Sequence, residues 1–268
     1  MINKNLKAQR GATLIVVLIM LLLVTIIGVF AVKISTTSLK ISTNSQIRQL
    51  LRQASDAPFQ VIRNLPVAKL RAVDNAIGAA IVSNSPNEEY LFCYSPTVNK
   101  DFARSIKTTI TTALSDTGTD ISGNGIRVIS GGTTGLCNLS SDFGSKRDAT
   151  VTQVAVSLAA DVNPDQDRFQ YYEEGTDISG SSTIANVIQP PTRLRVTTIS
   201  MMPALSTSSV STVQTNCLTT SNLRLANNLE HPTKATIADC VQSYGMPVEV
   251  QTQEFLLKVF LTEQSKPS

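Results

Sequence analysis

Gly11-Ala12-Thr13-Leu14-Ile15-Val16-Val17-Leu18-Ile19-Met20-Leu21-Leu22-Leu23-Val24-Thr25-Ile26-Ile27-Gly28-Val29-Phe30-Ala31-Val32 contains no charged residue. Ahead of it, residues 1–10 carry Lys4, Lys7 and Arg10 and no acid, and Lys33 follows. A helix rises about 1.5 Å per residue, so residues 12–32 would span about 32 Å, matched to a hydrocarbon core about 30 Å thick. A cleaved secretory signal has a shorter apolar run, about 7–15 residues, with its small-residue cleavage box behind it. Here the small residue stands in front, so the helix is expected to be retained as a single membrane span. The basic leader holds its own end in the cytoplasm and sends the bulk of the chain outside, with Lys33 and Lys40 opposing weakly.

The helical pattern continues beyond the span. Ile47, Leu50, Leu51 and Ala54 recur at i, i+3, i+4 and i+7, while Arg48, Gln49, Arg52 and Gln53 fill the other face. That stripe is expected to pack on the protein's own head. Lys33, Lys40, Arg48 and Arg52 read as a solvated helix face. Asp56-Ala57-Pro58 is the expected end, because proline disfavours helical geometry in the residue before it. The resulting organisation is a leader at 1–11, a transmembrane half at 12–32, an amphipathic half at 33–57 and a globular head at 58–268. Roughly 210 residues are enough for one sizeable core in that head.

Within the head, Val67–Val82 has helical spacing and Ser83-Asn84-Ser85-Pro86-Asn87 stops it. Strands are expected at Tyr90–Tyr94, Gly125–Ile129, Thr150–Ala159, Arg193–Met201 and Glu254–Leu261, with a further helix over Phe102–Leu114. Ser115–Gly125, Ser130–Gly135, Gly175–Ser182 and Ser206–Ser211 read as loops. The hexapeptide Gly-Thr-Asp-Ile-Ser-Gly occurs at 118–123 and at 175–180 with dissimilar flanks, which fits shared turn chemistry rather than a repeat architecture.

Cys93, Cys137, Cys217 and Cys240 all lie in the expected head, and no C-x-x-C spacing occurs. An even count in an exported domain favours disulfides over metal. Three connectivities are open; loop closure favours Cys93–Cys137 with Cys217–Cys240, the second contributing roughly 3 kcal/mol on the chain-entropy model. Net charge is +3 and the basic residues are dispersed, so nucleic acid is not an expected partner.

Basic leader, Gly11, the Thr13-Leu14-Ile15 start and the uninterrupted apolar helix together resemble the type III export signal of type IV pilins. The stretch Gln9-Arg10-Gly11-Ala12-Thr13-Leu14-Ile15-Val16-Val17-Leu18 is most similar to PilX-type minor pilins. The resemblance implies cleavage by a prepilin peptidase between Gly11 and Ala12, with methylation of the new amino terminus. It implies an α+β, pilin-like fold: a long N-terminal helix packed on an antiparallel sheet in a disulfide-bonded head. Two positions depart from the main pilin pattern. Ala12 replaces the usual Phe or Met, and Val16 stands at the fifth mature position, where most pilins have Glu. A carboxylate in a bilayer costs on the order of 2.5–3.5 kcal/mol unless it is partnered. In filaments the partner is understood to be the amino terminus of the subunit ahead, so Val16 fits a leading subunit.

The function this implies is non-enzymatic: a minor pilin that primes pilus assembly and sits at or near the fibre tip. Expected partners are other minor pilins and assembly subunits, prepilin peptidase, the inner membrane and a tip adhesin. The head would lie in the periplasm before assembly. A tip pseudopilin of type II secretion and an unpolymerised, single-span periplasmic binding protein are the alternatives. No cofactor, metal or catalytic residue is expected. Asp161-Val-Asn163-Pro-Asp165-Gln-Asp167 alternates oxygens as a calcium loop does, but Gln166 and Tyr172 fill the sixth and twelfth positions, where an EF-hand needs Gly and Glu. An acidic turn is the favoured reading, and a cation site of another geometry stays open, because tip pseudopilins bind calcium. Asp142-Phe143-Gly144 lacks the rest of a kinase signature, His231 has no nucleophile motif around it, and Gly131, Gly132 and Gly135 lack a phosphate-loop lysine.

Overall fold

The computed structural model describes residues 12–85, 87–96, 102–113, 126–159, 192–229 and 233–257. The chain divides after Gln49 into two units. One continuous helix, α1 (Ala12–Asn64), contributes to both. Through residues 14–32 all its side chains are exposed. Thr25, inside the apolar run, donates its hydroxyl to the Leu22 carbonyl at 2.8 Å, and Thr36, Thr37 and Thr43 bond back to Lys33 and Leu39 in the same way. Such back-bonding leaves no hydroxyl of these four unsatisfied in an apolar setting.

In the second unit α1 does not stop at Pro58. Proline removes one intrahelical donor, yet Pro58 is buried and its neighbours Phe59 and Ile62 are core residues, so packing holds the helix through it. The helix ends before Pro66. The buried line is Leu51, Ser55, Pro58, Phe59 and Ile62, rotated from the stripe read in the sequence: Leu50 stays 42% exposed and Ala54 is half-buried. Ser55 is tolerated there because its hydroxyl donates to the Leu51 carbonyl at 2.9 Å.

The expected helix over Val67–Val82 is two pieces, α2 (Val67–Leu70) and α3 (Ala76–Ser83). Asn75 interrupts it by capping α3, its side chain accepting from the Ile77 N–H at 2.9 Å, while the Ala76 N–H reaches the Ala103 carbonyl. Asn84 closes α3 in the left-handed conformation, φ 50°.

The strands are β1 (Glu88–Tyr94), β2 (Thr109–Ala113), β3 (Ile126–Ser130), β4 (Val151–Leu158), β5 (Thr192–Met201) and β6 (Val248–Leu257). They form one antiparallel sheet in the order β3-β2-β1-β4-β5-β6. β2 corrects the expected helix at Phe102–Leu114. Only the 3-10 turn Ser105–Lys107 is helical there, and the β-branched run Thr109-Ile110-Thr111-Thr112 pairs with β1 and β3. The last strand begins six residues before the expected Glu254. Two short helices, α4 (Val210–Cys217) and α5 (Ile237–Ser243), complete the head.

Alternation along the strands makes two cores. Tyr90, Phe92, Val154, Val156, Leu194 and Val196 cluster with Phe59, Ile62 and Ile77. Leu91, Val151, Ala155, Ile199 and Met201 cluster with Val213, Ile237 and Val241. Phe59 is fully buried, with the Phe255 ring 6.1 Å away. Phe59→Ala is expected to lower head stability by about 3–5 kcal/mol, read by denaturant unfolding of the full chain in detergent.

The start of α5 carries a reciprocal cap. The Asp239 N–H donates to Thr236 Oγ1 at 3.2 Å, and the Thr236 N–H donates to Asp239 Oδ2 at 2.8 Å. The Thr236 backbone N–H, then its hydroxyl, hold the Asp239 carboxyl below its usual range. A carboxyl depressed in the folded state stabilises above its unfolded pKa, and that contribution is lost as pH falls through the folded value. The unfolding midpoint of the wild type is therefore expected to fall on acidification more than that of Asp239→Asn. Thr236→Ala is expected to cost about 0.5–2 kcal/mol at neutral pH.

Candidate functional site

The region that chemistry sets apart is the first unit's part of α1. Its exposed Leu, Ile, Val and Met side chains from Leu14 to Val32 form a helical surface that water does not favour. It is the one described helix long and apolar enough to cross a membrane. Ala12 opens the helix and Val16 is 57% exposed within the span, so no carboxylate interrupts its first two turns. Gly11 lies outside the described residues, as do the Asp161–Asp167 stretch, His231 and both copies of the hexapeptide. Lys33 and Lys40 are exposed; Arg52 instead pairs with Glu249 at 3.1 Å.

In the head, Cys93 is bonded to Cys137 and Cys217 to Cys240. The first bond ties β1 to the segment 131–150, and the second ties α4 to α5. Two glutamines that the sequence did not mark hold the same segment. Gln153 is fully buried: its amide nitrogen donates to the Phe92 and Gly135 carbonyls, and its oxygen accepts from the Cys137 N–H at 2.8 Å. Gln214 accepts from the Leu139 N–H and donates to the Cys137 carbonyl. Each amide thus satisfies buried backbone groups that a strand partner would otherwise take.

Asp142-Phe143-Gly144 belongs to this segment and has a structural use. Asp142 accepts from the Asn138 N–H, the Phe143 carbonyl accepts from Ser95, and the Gly144 N–H donates to Thr150. Gly131 and Gly132 turn the chain with positive φ, and a Cβ on Gly135 would collide with the Leu91 carbonyl. Glu89, buried on β1, accepts from the Ala226 N–H at 2.9 Å and from Asn227. Among the described residues, no three His, Cys, Asp or Glu side chains are grouped to hold a metal ion. Among the described residues, Gln153, Gln214, Asp142 and Glu89 are thereby engaged in holding loops to the sheet.

Compared with known families, residues 10–59 match the family model PilX N-terminal. No curated protein and no solved structure matches the chain. The match begins one residue before Gly11, runs through the apolar span and ends at the core residue Phe59. The PilX family is a structural component of the pilus rather than an enzyme family. Long apolar helix, antiparallel sheet and disulfide-bonded head are together the organisation of a pilin. Residues 10–59 thus resemble the N-terminal segment of PilX-type minor pilins of the type IV pilus, and the long apolar helix with its disulfide-bonded α+β head fits a membrane-anchored, pilin-like organisation.

Proposed function

We propose that this minor pilin is cut between Gly11 and Ala12, primes type IV pilus assembly in the inner membrane with its head in the periplasm, and leads the fibre. Val16 carries the reading. A subunit within the fibre gains from a carboxylate at the fifth mature position, where the amino terminus of the subunit ahead neutralises it. A leading subunit has no such partner, and an uncharged span avoids burying an unpaired acid. Before assembly the helix 12–32 is stored laterally in lipid; on extraction it exchanges lipid contacts for contacts with neighbouring helices. The head does no chemistry in this reading, and its neighbours are other minor pilins and a tip adhesin.

The test is the amino-terminal mass of the protein from cells with and without prepilin peptidase, together with surface piliation of a strain lacking the chain. A chain beginning at Ala12, heavier by one methyl group and present only with the peptidase, supports processing. Retention of residues 1–11 in both strains would sink it. Loss of surface pili on deletion supports priming, and unchanged piliation overturns it. Val16→Glu bears on the tip position. An unmatched carboxylate costs on the order of 2.5–3.5 kcal/mol, so the variant is expected to reduce piliation. Improved incorporation along the shaft would argue for an internal subunit instead.

A further inference from the structure

Lys33-Ile34-Ser35-Thr36 recurs as Lys40-Ile41-Ser42-Thr43, seven residues on in the same unbroken helix. Seven residues make close to two full turns, so the repeat stacks like on like. Lys33 lines up with Lys40, and Ile34 with Ile41 on the adjoining line; Ser35, Ser38, Ser42 and Ser45 take the other side. The four repeated Lys and Ile side chains are exposed, Ile34 by 68% and Ile41 by 66%. Among the described residues no acid pairs with either lysine, whereas the cations of the next turns are engaged, Arg52 with Glu249 and Arg63 with Gln253. Asp56 is the first acid in the chain. Lys33 and Lys40 also stand beyond the span, where they oppose the orientation signal of the basic leader.

We infer that Lys33 and Lys40 hold the phosphates of anionic lipid headgroups in the leaflet from which the helix emerges, and that this contact directs its inclination. The occupant follows from position and charge. The uncharged run ends at Val32, so Lys33 and Ile34 stand where hydrocarbon gives way to headgroups, a layer about 5–7 Å thick on each side. Lys40 is about 10 Å farther along the helix. Helical side chains lean toward the N-terminus, here back toward the bilayer, and a lysine stem can lie along apolar surface while its ammonium reaches a phosphate. An isoleucine beside each lysine suits the boundary between headgroups and acyl chains, which a helix side facing only water does not need. With no acid before Asp56, nothing on this part of the helix repels a phosphate. Membrane helices incline by about 20° on average, and a cation repeated on one side gives that inclination a direction. The inference rests on residues 12–32 crossing a bilayer.

The experiment reconstitutes the full chain in phosphatidylcholine vesicles at low salt. Spin-labelled phosphatidylglycerol is the probe and spin-labelled phosphatidylcholine the reference, and electron paramagnetic resonance reads the share of each held at the protein surface. The wild type is expected to prefer phosphatidylglycerol. Replacing both lysines, Lys33→Gln with Lys40→Gln, is expected to lower that preference about two- to fivefold. Lys33→Arg with Lys40→Arg is expected to keep it, and raised salt to narrow the gap between wild type and the glutamine variant. Arg48→Gln is the control, because Arg48 stands about 22 Å beyond Lys33 along the helix. Lys4, Lys7 and Arg10 are present in every variant, so their own attraction for lipid cancels in the comparison. A glutamine variant with the wild-type preference, or an equal loss in Arg48→Gln, overturns the inference. A chain that does not float with the vesicles overturns the span itself. A chain that floats with the same lipid preference with and without the two lysines leaves the span standing and sinks the headgroup contact alone.

Discussion

A single helix has to satisfy two environments, and the place where it changes from one to the other determines the head. Up to Val32 its surface is apolar on every side, as a lipid or helix-lined setting requires. From Leu51 onward only one line is buried, and Phe59 and Ile62 on that line close one of the two cores of the sheet. The sheet face they cover is closed jointly with α3, whose Ala76, Ile77 and Ala80 are buried in the same cluster. The strands below are accordingly apolar: Val154, Val156, Leu194 and Val196 are all buried there.

The opposite sheet face is closed by different means. Its cover is a 20-residue irregular segment, residues 131–150, and two short helices, which bury Leu136, Leu139, Val213, Ile237 and Val241 against the strands. Covalent and polar ties take over: two disulfides, the Gln153 and Gln214 amides, and Glu89 holding the backbone at Ala226. A disulfide lowers the entropy of the unfolded chain whatever the segment's shape. A buried amide then fixes which backbone groups meet.

The span and the packing of a helix on a sheet were legible because long uncharged runs and β-branched strands are strong local signals. Both disulfides form between sequence neighbours, the arrangement that loop closure favours. Local signals also misled. Pro58 reads as a stop only when its burial is unknown; the helix ends at Asn64, ahead of the exposed Pro66. At Phe102–Leu114 the threonine-rich half is strand, and only pairing with β1 and β3 reveals it. The cap at Thr236 and Asp239, which marks α5, went unread although its Thr-x-x-Asp spacing stands in the sequence. Gln153 and Gln214 gave no such sign, since the groups they hold at Phe92, Gly135, Cys137 and Leu139 lie 16 to 77 residues away. For residues 10–59 the sequence pattern alone pointed to the family whose N-terminal model matches there, because a long apolar run behind a basic leader is read locally.

The route by which a pull on α1 enters the head follows from where its ties are. Arg52, Phe59 and Arg63 all meet β6, through Glu249, Phe255 and Gln253. Among the described strands β6 stands at the edge, joined to the sheet by its ladder with β5. Neither disulfide crosses that route, since Cys93–Cys137 staples β1 and Cys217–Cys240 joins α4 to α5. Tension along the helix would thus be shared between that ten-residue ladder and the core that Phe59 and Ile62 close with β1, β4 and β5. The covalent staples stand on the far side of the sheet, so a separation of β6 from β5 would leave both of them intact.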